Sequence, residues 1–162
     1  LSALRRESIR VLLQRAGEDP NLAEPAFDVF FEARQKVVFY EDAMPALDFL
    51  KSKYPLVALS NGNADIHKVG LGNYFVAAFN PISLGVGKPD PKMFHAGAEA
   101  LGVLPEEVLH IGDDPHLDVL AAQRAGMQSV WVNREEKKWT HETHPAPFTV
   151  VGLKELCKAW PV

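Results

Sequence analysis

With a single cysteine, Cys157, the 162-residue chain cannot form an internal disulfide, and in a helix-like C-terminal stretch that thiol reads as core packing. No apolar run approaches the roughly 20 residues of a membrane span, and no signal or transit pattern opens the sequence. No run of Lys or Arg forms a basic stripe; net charge is −4 and pI about 5.9. Neither nucleic acid nor a membrane is therefore expected as a partner, and a reducing cytoplasm fits the thiol count. There is no internal repeat, no low-complexity tract and no initiator Met, so the natural chain is expected to start upstream of Leu1.

What is present is apolar enough for one core and a small lobe: 47% of residues are hydrophobic and 23% charged. Leu4, Ile9, Leu12, Leu13 and Ala16 follow helical spacing up to Gly17, and Phe27, Phe30 and Phe31 give a second helix after Pro25 an aromatic face. The two predict a helical pair packed through that face. Pro45 suits the first turn of a third helix that Pro55 ends.

From there short apolar segments alternate with helices. Strands are predicted at 56–59, 76–79, 108–111, 129–132 and 148–151, and helices at 64–69, 91–101, 117–125 and 153–159. That alternation predicts an α/β fold, a Rossmann-like parallel sheet covered by helices. The domains expected are a helical lobe, 1–42, and a sheet domain, 43–162. The polar stretch 133–147 reads as an exposed loop.

Ligands gather at the carboxyl ends of strands in such sheets, and three polar groups stand there. Ser60, Asn61, Gly62 and Asn63 offer a hydroxyl, an amide and an unhindered backbone N–H to an anionic oxygen. Lys88 lies between Gly87 and Pro89, where a fixed ammonium would balance phosphoryl charge or pair with carboxylates. Asp113 and Asp114 follow the strand ending at Ile111; adjacent carboxylates repel without a cation, and an all-oxygen set suits Mg²⁺. Asp118 falls in the next helical turn, where it would accept backbone N–H groups, pair with Lys88 or help a metal. Each has a plainer reading: Ser and Asn are ordinary turn residues, a loop lysine is usually a surface lysine, and an acid in a first turn often serves only its helix.

In order and spacing these pieces resemble the haloacid dehalogenase superfamily. Leu56 to Asn61 resembles its second motif, Lys88 in GVGKPDP its third, and His110 to Asp118, HIGDDPHLD, its fourth. The resemblance implies that Ser60 and Asn61 hold phosphate, with Gly62 beside them. By the same resemblance Lys88 balances charge on nucleophile and phosphate, Asp113 binds Mg²⁺, and Asp114 and Asp118 support metal and lysine. The first 40 residues would be part of a helical cap that selects substrate. The implied activity is Mg²⁺-dependent hydrolysis of a small phosphorylated metabolite through an aspartyl-phosphate.

The family's first motif, DxD after an apolar strand, supplies nucleophile and general acid, and no such pair precedes residue 56. Its strand would lie between those ending at Ser60 and Ile111. The chain alone is therefore expected to be inactive or nearly so, associating with its own missing segment or with a second copy as a homodimer. Two other readings stand beside this one: a metal-independent 2-haloacid dehalogenase, against which the Asp113–Asp114 pair argues, and a non-catalytic binding remnant.

Other matches fail. In GVGKP a proline stands where a P-loop needs Ser or Thr. His141, Glu142 and His144 are too close together for a zinc helix and read as solvent-exposed. His110 reads as a structural strand residue and His116 as a flank of the acidic loop.

Overall fold

A computed structural model describes residues 2–141 and 147–160. The chain forms two compact units, Leu1–Val38 with Asn63–Gly72, and Phe39–Gly62 with Asn73–Val162. The border thus falls at 38/39 rather than the expected 42/43, and the segment 63–72 joins the helical unit.

In the helical unit α1 (Ser2–Ala16) lies against α2 (Ala23–Gln35). The second helix begins two residues before Pro25, so that proline occupies its first turn, where no amide is missed. Phe27 is buried and stacks on Phe31 at 5.9 Å. Two α1 cations lie over this aromatic face: Arg6 is 3.9 Å from the Phe27 ring and Arg5 5.0 Å from the Phe30 ring. Leu4 and Leu12 are exposed, and no residue of α1 is buried.

The segment expected to be a helix at 64–69 is a turn. The Asp65 carboxylate accepts from the backbone N–H of His67 in an Asx turn, and the Gln35 side chain accepts from Asp65 N–H.

The larger unit is a set of parallel strands with helices between them. After α3 (Ala43–Lys51), β1 (Val57–Leu59) pairs with β2 (Ala77–Phe79), Val57 opposite Ala77. A second sheet has the order β3 (Leu109–Gly112), β4 (Gln128–Val132), β5 (Phe148–Val150), again parallel. Among the described residues β1 and β3 share no ladder, so each keeps one unpaired edge. Burial follows pairing: the central β4 buries Val130, Trp131 and Val132, whereas β1 and β3 are only half-buried despite their apolar sequences.

Behind Asn80, which caps the short α4 (Pro81–Leu84), comes α5 (Pro91–Leu101). Asp90 caps α5 by accepting from Lys92 N–H, and its buried Met93, Phe94, Gly97 and Ala98 repeat with helical period. Met93 and Phe94 share one core cluster with Ala121 and Ala122, and against it pack Leu59 and Phe79 from the first sheet and Val108 from the foot of the second. Burying Phe94 alone contributes on the order of 2–3 kcal/mol. A second cluster, Val130, Val132, Val150 and Leu156, lies under α7 (Leu153–Ala159).

The helix expected at 117–125 begins with a wide π-type turn, Pro115–Leu120, before α6 (Ala121–Arg124). The carbonyl of Asp114 accepts from both Asp118 and Val119 N–H, which is the extra residue in the turn. The stretch after β4 is not uniformly exposed: Asn133 is buried and its amide closes a turn with Lys137 in both directions, while Trp139 and His141 are half-buried. Glu142 and His144 lie outside the described residues.

Candidate functional site

The carboxyl ends of β1 and β3 carry the polar groups, and hydrogen bonds join them across three loops. The backbone N–H of Ser60 extends the β1 ladder by donating to Phe79, and its Oγ accepts from Gly62 N–H at 2.9 Å. The amide of Gly62, expected to be unhindered, is thus engaged within its own turn. Ser60 is exposed, and its hydroxyl, which accepts in that bond, keeps its own hydrogen to donate.

Asn61 reaches 27 residues ahead. Its Oδ1 accepts from Lys88 N–H and its Nδ2 donates to Lys88 O, both at 2.7 Å. The side chain expected to hold an anion instead clamps the lysine loop, leaving one amide hydrogen over. Gly87 permits this approach, since a Cβ there would lie 2.7 Å from Asn61 Oδ1.

Held at its backbone, Lys88 is also held at its tip. Its ammonium meets Asp118 Oδ1 at 2.5 Å, with side-chain exposures of 13% and 5%. The same oxygen faces His110 Nε2 at 3.1 Å, and Oδ2 accepts from Asp114 N–H at 3.1 Å. Burial pushes the Asp118 carboxyl up, but hydrogen bonds from His110 and Lys88, reinforced by the lysine charge, outweigh it and hold it well below the usual carboxylate range. Gly112 makes room for this carboxylate; a Cβ there would stand 2.4 Å from Asp118 Cβ.

The two acids at the strand end differ. Asp114 is half-buried and caps the π-type turn, its Oδ1 accepting from His116 and Leu117 N–H at 2.8 Å each. Asp113 is exposed, and its carboxylate has no hydrogen-bond partner among the described residues. Its carbonyl is fixed by the buried Trp131, whose indole N–H donates to it at 2.9 Å. The Asp113 and Asp114 charges also help hold the Lys137 ammonium above its usual range, behind the larger effect of its pairing with Glu135.

Sequence reasoning assigned Ser60, Lys88, Asp113, Asp114 and Asp118, and the bonds above tie their loops into one rim. It missed the clamp role of Asn61, the indole of Trp131 and the contact of His110. A histidine five residues before a strand-end helix turn carries no spacing signal for such a contact.

An all-oxygen, half-solvated pair such as Asp113 and Asp114 fits Mg²⁺, which keeps several waters and takes only one or two protein carboxylates. Among the described residues no group of three His, Cys, Asp or Glu side chains forms a closed metal cage. No helix among them is long and apolar enough to cross a membrane.

Comparison with known proteins bears on the whole rim. A family profile described as haloacid dehalogenase-like hydrolase matches residues 3–126. A phosphoserine phosphatase of Thermus thermophilus is 33% identical over 94% of this chain and 63% of its own length. A 5-amino-6-(5-phospho-D-ribitylamino)uracil phosphatase of Escherichia coli is 38% identical over 70% of the chain and 48% of its own length. The chain thus spans about half to two thirds of these relatives. The crystal structure of a 2-haloacid dehalogenase from Pseudomonas syringae pv. tomato superposes with a TM-score of 0.88 and 35% identity, over 97% of this chain and 70% of the other. Fold, motif order and profile agree: the chain belongs to the haloacid dehalogenase-like hydrolases.

Proposed function

We propose that this chain is the phosphate-holding and cation-holding part of a Mg²⁺-dependent phosphomonoester hydrolase that acts on a small phosphorylated metabolite. The observation that carries this reading is the bonded path Asn61–Lys88–Asp118–Asp114, with the Asp113 carboxylate, without a hydrogen-bond partner among the described residues, beside it. The Ser60 hydroxyl donates to a phosphoryl oxygen, and the Lys88 ammonium, fixed before substrate arrives, balances the charge that builds on the transferring group. Asp113 and Asp114 would hold Mg²⁺, which supplies further charge neutralisation at the phosphoryl oxygens when bound. The names of both phosphatase relatives support this reading.

The attacking carboxylate is not among these residues. We place it on an extended segment outside this sequence, running parallel between β1 and β3, whose unpaired edges and incomplete burial suit a strand there. Its carboxyl end would then reach the rim of Lys88 and Asp113. The 162-residue chain by itself is inactive or nearly so, because loss of a covalent nucleophile removes many powers of ten in rate.

The likeness to a solved 2-haloacid dehalogenase favours a second reading, metal-independent release of halide. A screen of the upstream-extended protein against small phosphomonoesters and 2-haloacids, with Mg²⁺ or EDTA, separates the two. The expected result is phosphate release that EDTA abolishes and that Asp113→Asn lowers by about a thousandfold or more. Halide release indifferent to EDTA, without phosphatase activity, overturns the proposal.

A further inference from the structure

The ammonium of Lys88 terminates a flexible four-carbon stem, and Asp118 alone would leave it free to pivot about one carboxylate oxygen. The structure removes that freedom in steps. Asp118 Oδ2 is fixed by Asp114 N–H, and Oδ1 is shared between Lys88 Nζ and His110 Nε2. An ionised carboxylate only accepts, so His110 must donate from Nε2. The imidazole itself is confined: its side chain is 11% exposed, and the ring stands edge-on to the fully buried Phe94 at 5.1 Å and 73°. A run of contacts therefore leads from the α5 core through His110 and Asp118 to the tip of Lys88.

We propose that His110 is a positioning residue, which acts through Asp118 to hold the Lys88 ammonium at the phosphate-holding rim. This rests on the reading of Lys88 given above, but the holding itself is testable without turnover. Ser60, Asn61 and Asp113 hold their places without His110, so its loss unfastens one charge rather than the whole rim.

The test uses the full-length protein with His110→Leu, His110→Asn, whose shorter amide does not reach Asp118, and His110→Gln, whose Nε2 restores the donor. Folding is checked by circular dichroism. Lys88 acylation by acetic anhydride is followed by peptide mass spectrometry against the exposed Lys53 as internal standard. Labelling of Lys88 should be about tenfold faster in the Leu and Asn variants and near wild type in the Gln variant. With a phosphomonoester substrate, kcat should fall about tenfold with KM changed less than about twofold, again restored by Gln. Unchanged Lys88 labelling in both the Leu and Asn variants, or no restoration by Gln, overturns the proposal. Faster Lys88 labelling in the Leu and Asn variants, together with a wild type that hydrolyses no phosphomonoester, would support the positioning role and defeat the phosphatase reading instead.

Discussion

Two aspartates in the larger unit use their carboxylates alike, yet to different ends. Asp42 takes a bidentate grip from Arg134, at 2.8 and 3.2 Å, and accepts from Leu153 N–H at 2.8 Å, tying α3, the loop after β4 and α7 together. Asp118 takes Lys88, His110 and Asp114 N–H. The difference is solvent. Arg134 is 27% exposed and stacks over Tyr40, whereas Lys88 and Asp118 are nearly closed off. A pair near water fastens elements at modest gain, and a desolvated pair fixes a charge at some cost in stability. Hence the first is a strap between elements, and the second a fixed charge at the rim for which we propose phosphate holding.

The largest effect should come from unpairing the buried site. Asp118→Asn is expected to lower unfolding free energy by about 3 kcal/mol in urea denaturation, because Lys88 is left desolvated without its counter-charge. Asp42→Asn should cost about 1 kcal/mol in the same measurement. Equal losses would erase the distinction between the two.

Filling the space under Asp118 should come next. Gly112→Ala forces a methyl against the Asp118 side chain, and a loss of about 2 kcal/mol is expected in thermal melts read by circular dichroism. Replacing both partners, Lys88→Met with Asp118→Leu, should return only part of the stability lost in Asp118→Asn, since His110 and Asp114 N–H lose their acceptor, while leaving the full-length enzyme inactive, a split that calorimetry and a phosphate-release assay would read together.

Acid sharpens the contrast further. Both carboxyls are depressed in the folded state, Asp42 chiefly by the Arg134 hydrogen bond, Asp118 by its hydrogen bonds and the lysine charge prevailing over burial. A depressed carboxyl stabilises fully above its unfolded value, about 3.9, and that stabilisation is lost as pH falls below it toward the folded value. Stability measured from pH 6 down to 2 should therefore decline below about pH 4, with a shallower decline in Asp118→Asn than in Asp42→Asn. The smallest effect is expected for Arg134→Lys, about 0.5 kcal/mol by denaturant titration, from loss of the forked bond and the stack on Tyr40.

Helices α5 and α7 were legible from sequence because their signals are local: Asp90 and Pro91 start the former, and apolar period marks both. The parallel strands were legible because short apolar runs alternate with helices. The turn at 65–70 was not, since its chain closes through bonds of mixed span, Val69 N–H to Asp65 O and Leu71 N–H to Ile66 O, which apolar period does not register. The same holds at the rim. Strand-end logic singled out Ser60, Lys88, Asp113 and Asp118 as candidates by residue type, and the structure joins Lys88 to Asp118. That Asn61 spends its amide on Lys88 depends on which groups arrive in space, and 27 residues of separation carry no such information.

The π-type turn makes the passage from β3 into α6 a counting device. Its additional residue advances every later side chain by about 100° around the axis. Deleting His116 would leave an ordinary helix start and every apolar residue of the stretch, yet swing the Asp118 side chain away from the strand end. Length in this stretch is thus as strictly constrained as the identity of the aspartate it presents.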